Sequence, residues 1–168
     1  MSYVCSECGK THDGFPALAF KRPDYWLGLP AYKKFFGKSD DDRCRTPDGH
    51  YFVRAVLEIP VHNGPEPKLE YGLWASLSKK NFRRYAMTYG DADQSKLGPM
   101  FGWMSNEISD FPGSLNLKCY VQPRDEKLRP MLEIEPTDHP LSLAHHNGIA
   151  FELAQRIVHR GLNSGASD

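Results

Sequence analysis

Two neighbouring apolar stretches constrain this chain most. His50 to Val61 (HYFVRAVLEIPV) is dense in β-branched and aromatic residues, and Leu69 to Leu77 (LEYGLWASL) repeats that character. Between them lie Asn63, Gly64, Pro65 and Pro67, residues that turn a chain rather than extend it. The pair reads as a long antiparallel hairpin. A lone hairpin is marginal in water, so other elements have to cover its apolar face. Leu115, Leu117, Cys119 and Val121 alternate with polar neighbours, the pattern of a half-buried strand. After a polar turn at 124–127, Met131 to Glu135 reads as its return, with Leu132 and Ile134 on one face. Met100 to Ile108 follows no clear period.

Helical signals flank these strands. Ser78 suits an N-cap for a helix to Tyr89, in which Phe82, Tyr85, Ala86 and Tyr89 recur at helical spacing. Pro140 sits well at a first helical position. A helical region then runs to residue 160, broken at Gly148, with Ile149, Leu153 and Ile157 inward, His159 outward and Gly161 a plausible C-cap. The predicted fold class is therefore α+β. An antiparallel sheet from 50–77 and 115–135 has helices at 78–89 and 140–160 packed against it, and a zinc-knuckle-like turn precedes them. A chain of 168 residues can bury a sizeable core as one domain, expected over 1–162, with a flexible tail at 163–168.

Lys plus Arg and Asp plus Glu are balanced at 21 each. A protein that binds bare phosphate backbones usually carries a strongly basic face, so a protein or small ligand is expected as partner rather than nucleic acid. Little net repulsion also favours self-association, possible here as a homodimer. No window reaches the roughly 18 apolar residues of a membrane span, and the opening Met-Ser-Tyr-Val-Cys does not read as a signal peptide. The cytoplasm is the expected compartment, where cysteines stay reduced and serve as ligands, reactive thiols or core residues.

The sharpest chemical signal is Cys5-Ser-Glu-Cys8-Gly9-Lys10-Thr11-His12. Two thiolates two residues apart can grip one tetrahedral ion from a tight turn, and soft sulfur suits zinc. Gly9 lets the backbone fold back toward the sulfurs, and His12 offers a third donor. Cys44 and Cys119 compete for the fourth place. Cys119 lies on an apolar strand face, where cysteine packs as a small hydrophobe. Cys44 sits in the polar string Asp40-Asp41-Asp42-Arg43-Cys44-Arg45, which core packing does not explain. The expected set is Cys5, Cys8, His12 and Cys44, holding a structural zinc, with the Cys turn docked on the segment around Cys44.

Other clusters carry less. Glu135, Asp138 and His139 precede the helix that Pro140 starts, where Thr137, Asp138 or His139 caps it. His145 and His146 near that helix's end suit its dipole. Lys79-Lys80-Asn81-Phe82-Arg83-Arg84 reads as the solvated face of an amphipathic helix. The aromatics of residues 15–37 have weak secondary structure around them and suggest an exposed apolar patch. There is no Gly-rich phosphate loop, no G-x-S-x-G and no H-E-x-x-H.

The chain resembles a bacterial family, domain of unknown function 2199. The resemblance is carried by Cys5-x-x-Cys8-Gly9-x-x-His12, Asp42-x-Cys44, Phe52-Val53-Arg54, Gly72 to Ser78, Leu115 to Lys118, and Arg129-Pro130 through His139-Pro140-Leu141 and Gly148-Ile149. It implies no activity, and its Asp-x-Cys element agrees with choosing Cys44. The expected function is a zinc-stabilised binding or interaction module. The alternative is a small hydrolase-like enzyme using the Asp138/His139 region.

Overall fold

In the computed structural model, which describes residues 1–164, the chain opens with a small hairpin, β1 (Ser2–Val4) and β2 (Thr11–Asp13), and a two-residue strand, β3 (Leu18–Ala19). Two short helices, α1 (Asp24–Leu27) and α2 (Ala31–Phe36), lead to β4 (Lys38–Ser39) and β5 (Arg43–Arg45). The long hairpin β6 (Tyr51–His62) and β7 (Lys68–Leu77) follows, then α3 (Lys79–Met87), β8 (Met100–Met104), β9 (Lys118–Gln122) and β10 (Met131–Ile134). The end is α4 (Pro140–Asn147), β11 (Ile149–Ala150) and α5 (Phe151–Asn163). Residues 165–168 of the predicted tail lie outside the described residues.

The predicted antiparallel sheet turns out to close on itself. β6 and β7 pair from Tyr51–Leu77 to Pro60–Lys68, and β7, β8, β9 and β10 continue as antiparallel neighbours. β10 then meets β6 in parallel at Met131 and Val56, where the Val56 N–H donates to the Pro130 carbonyl at 2.9 Å. The result is a five-stranded barrel with one parallel seam. An odd number of up-and-down strands brings the last one alongside the first in the same direction, so the seam follows from the strand count. Two short strands are also parallel additions, β3 to β7 and β11 to β6. Alternation in a sequence says which side of a strand is buried, not what lies along its second edge. The antiparallel sheet expected from the sequence is corrected to a closed barrel with one parallel seam on that ground. β8 was the missing link, in the stretch without a clear period. Its burial does alternate, with Met100, Gly102 and Met104 inward.

Val53, Ala55, Leu57 and Ile59 of β6 join Leu69, Tyr71, Leu73 and Ala75 of β7 in the main core, each 0–2% exposed. Cys119, Val121, Leu132 and Ile134 complete it from the later strands, while Leu141 of α4 and Ala154, Ile157 and Val158 of α5 cover it. Each large apolar side chain buried in this way stabilises by about 1.5–3 kcal/mol. A second cluster lies on the outer side of β6 and β7. Cys44, Phe52 and Trp74 pack there under Phe20 and Trp26, and the Trp74 indole N–H donates to the Phe20 carbonyl at 3.0 Å.

The helices follow the sequence reading except at Ile149, read as helical, which with Ala150 instead forms β11 against Val61 and His62 of β6. Ser78 caps α3, its hydroxyl accepting from the Asn81 N–H at 3.2 Å, and Phe82 and Tyr85 are buried. Gly148 separates α4 from α5 with φ of 82°, and a Cβ there would meet His62 Nε2 at 2.3 Å. Gly161 does not cap α5 but lies within it, against Leu18, whose Cδ2 would be 2.8 Å from an added Cβ. Close approach therefore explains that glycine. Among the described residues no helix is long and apolar enough to cross a membrane.

Two variants test this architecture. Gly102 faces Leu77 across β7–β8, and an added Cβ would lie 2.4 Å from the Ser76 carbonyl oxygen. Gly102→Ala is expected to cost about 1–3 kcal/mol, read as a lower urea midpoint at unchanged m-value. The Asp42 carboxylate ties three segments, accepting from Arg129 Nε at 2.7 Å and from the Tyr89 hydroxyl at 2.8 Å. Burial pushes its pKa up, but the Arg129 and Tyr89 hydrogen bonds outweigh this and hold it below the ordinary value. A carboxylate whose folded pKa is depressed contributes stability above its unfolded pKa and loses it as pH falls through the folded one. Asp42→Asn should therefore cost about 1–2 kcal/mol at pH 7, with the gap to wild type narrowing below about pH 4 in denaturation series.

Candidate metal centre

The N-terminal hairpin is a turn organised around sulfur. Cys5 follows β1 and His12 sits at the centre of β2, opposite Tyr3. The Cys5 N–H donates to the Lys10 carbonyl at 2.9 Å and the Gly9 N–H to the Cys5 carbonyl at 2.8 Å, closing the loop. Gly9 has φ of 69°, a left-handed conformation that side chains resist. The fold-back expected of Gly9 is therefore present.

This geometry converges three donors. Cys8 Sγ lies 3.3 Å from His12 Nε2, and one ligand atom from each of Cys5, Cys8 and His12 falls within 4.8 Å of the others. Sulfur and nitrogen sharing a tetrahedral zinc ion would be about 3.6 Å apart. Cys5 is 3% exposed, whereas Cys8 is open to solvent. Burial pushes the Cys5 thiol up, yet the Glu7 and Cys8 backbone N–H groups and the Cys8 thiol hydrogen-bond to it and hold it below its ordinary value. Hydrogen bonds of this kind favour the thiolate, the form that ligates metals.

The hairpin docks on α5 and on the β6–β7 turn. Tyr3 meets Phe15 and Phe151 edge-on, each with ring centres 5.3 Å apart, and Phe15 stacks on Phe151 at 5.5 Å. The Ser6 N–H donates to Oε1 of the buried Gln155 at 3.1 Å, and the Met1 ammonium reaches Glu66 at 3.1 Å. Gly64 backs Phe151 so closely that a Cβ would lie 2.2 Å from its ring. A cavity of about 20 Å³ remains between hairpin and helix, bordered by Tyr3, Cys5, His12, Gln155 and His159.

Cys44 stands outside this group. It lies on β5 between Ser39 and Phe52, 1% exposed, packed with Phe52 and Trp74. Burial pushes its thiol up to about 11, the signature of an inert core cysteine. The expected fourth ligand and the expected docking of the Cys turn on its segment are both corrected here. Asp40 and Asp41 are exposed in a turn in which Asp40 accepts from the Arg43 backbone and pairs with its guanidinium at 3.0 Å, while Asp42 is half-buried against Arg129 and Tyr89. Strand alternation through Arg43-Cys44-Arg45 then turns the cysteine alone inward. Cys119 is 0% exposed, in the core role the sequence assigned to it.

The Asp138/His139 region forms a helix cap. His139 Nδ1 accepts from the Leu141 N–H at 3.1 Å, and its Nε2–H donates to the Pro112 carbonyl at 3.0 Å. Asp138 is exposed. His145 and His146 donate to the carbonyls of Glu58 and Ile134, both at 2.7 Å, and so fasten α4 to the strands instead of merely serving its dipole. Lys79, Lys80, Arg83 and Arg84 form the expected exposed face of α3. Tyr32, Phe35 and Phe36 are 65%, 84% and 72% exposed, the apolar patch expected between residues 15 and 37.

A small closed barrel, flanked by helices and preceded by a two-cysteine, one-histidine knuckle, is the class of domain that fold and site define. Residues 4–149 match the family described as an uncharacterized protein conserved in bacteria (DUF2199), and the chain belongs to that family. No curated protein and no solved structure matches it. The sequence reading placed His159 on the outer face of its helix, and only the docked hairpin brings it beside the knuckle. Cys44→Ala is expected to lower stability by about 1–2 kcal/mol, measured by denaturation, and to leave metal retention unchanged.

Proposed function

We propose that this chain is a binding module whose N-terminal hairpin is stapled by a structural zinc ion held by Cys5, Cys8 and His12. The observation that carries the reading is the convergence of two sulfurs and one imidazole nitrogen within 4.8 Å. Backbone N–H groups directed at the Cys5 sulfur add the outer support usual around thiolate ligands. His159 is the candidate for the fourth position in place of Cys44: it borders the same small cavity as Cys5 and His12, and ligation through Nε2 would require it to release the Asn163 amide from which it accepts at 2.9 Å. With that fourth donor in place zinc has no open position for water, so the ion stabilises and does not catalyse. A binding role is favoured over hydrolysis because both ring nitrogens of His139 are committed to backbone groups.

Metal analysis of protein purified without added zinc should find about one zinc per chain. Cys5→Ser and Cys8→Ser should abolish retention, and His159→Ala should weaken zinc affinity at least tenfold in chelator competition. Chelation should lower the melting temperature. Zinc-free wild-type protein, or full retention by Cys8→Ser, would sink the proposal.

A further inference from the structure

A much larger cavity, about 790 Å³, lies between β3, the loop after β8 and the last turn of α5. That volume falls within the range of small-molecule sites. Leu18, Phe20, Leu27 and Ile108 give it apolar walls. Tyr71 reaches it from β7. That residue is 2% exposed, and its hydroxyl has no hydrogen-bond partner among the described residues. A buried hydroxyl without a partner is costly, so a ligand atom that accepts its proton gains at this point.

The charges around the cavity are not balanced in what they leave available. Its two carboxylates are engaged by the protein. Asp110 pairs with Arg160, and Glu107 accepts from the backbone N–H groups of Gly113, Ser114 and Leu115 at 2.6, 3.2 and 2.9 Å. Lys21 and Arg22 also border the cavity, and neither forms an ion pair with a carboxylate among the described residues. Arg22 Nη1 donates only to the Lys21 carbonyl, at 2.7 Å. The guanidinium is a planar donor suited to a carboxylate.

We infer that this cavity binds a small amphipathic carboxylate, an apolar body of roughly eight to ten carbons ending in one carboxylate group. The body lies along Leu18, Phe20, Leu27 and Ile108, and the carboxylate is drawn to Arg22 and Lys21. The Tyr71 hydroxyl donates to that same carboxylate, the ligand's only acceptor. This inference names a ligand class for the binding module proposed above and rests on that reading for its purpose, although none of the residues assigned to the ligand is a proposed metal ligand; His159 borders both spaces.

Calorimetric titration of the full chain with decanoate tests it. Saturable binding with a dissociation constant in the micromolar range is expected, with decylamine and methyl decanoate at least tenfold weaker. Arg22→Ala should weaken decanoate at least tenfold. Tyr71→Phe should weaken it about fivefold while raising the denaturation midpoint, because it deletes a buried unpaired hydroxyl and no packing. No decanoate binding, equal affinity for decylamine, or unchanged affinity in both variants overturns the inference. Zinc is measured on the same samples. A zinc-free protein that binds decanoate overturns the staple alone, and a zinc-loaded protein that ignores decanoate overturns this inference alone.

Discussion

The structure depends on β6 being paired along both of its edges. One edge carries the ten-residue ladder with β7, and the other is divided among β5, β10 and β11. A strand with both edges satisfied leaves few backbone groups to solvent, and its alternate side chains can all be committed. Val53, Ala55, Leu57 and Ile59 fill the barrel, while Phe52 on the opposite face builds the second cluster. α4 and α5 then have a fixed surface to cover, and the N-terminal hairpin has a fixed helix to dock on.

The four cysteines show how environment assigns different chemistry to one side chain. Cys119 and Cys44 sit in apolar surroundings that raise their thiols to about 12 and 11, which keeps them protonated and unreactive. Cys5 lies in a turn whose backbone hydrogen bonds favour its thiolate, and its thiol moves the other way. An apolar cluster and a hydrogen-bonding turn thus push the same side chain in opposite directions.

Much of this was legible in the chain. The β6–β7 hairpin, Ser78 as a cap, Gly148 as a break and the Cys5–Cys8–His12 turn are all local patterns, and local patterns survive folding. The failures were non-local. Barrel closure depends on which strand meets the free edge of β6, and no periodicity encodes that. Cys44 was misread because charge in its neighbours suggested exposure, whereas a strand places neighbours on opposite faces. His139 was read as one of three candidate caps, and the imidazole takes that role through Nδ1, which accepts from the Leu141 N–H, while its Nε2–H is held by the Pro112 carbonyl, a contact that only the assembled loop supplies.

The parallel seam has a kinetic consequence. Val56 cannot find Met131 until most of the chain exists, so barrel closure is a long-range event of the kind that slows folding. On a ribosome, the strands from β6 to β9 would emerge with one edge unprotected until β10 arrives. That interval, rather than the finished molecule, is when this protein would be most prone to join strands with a neighbour.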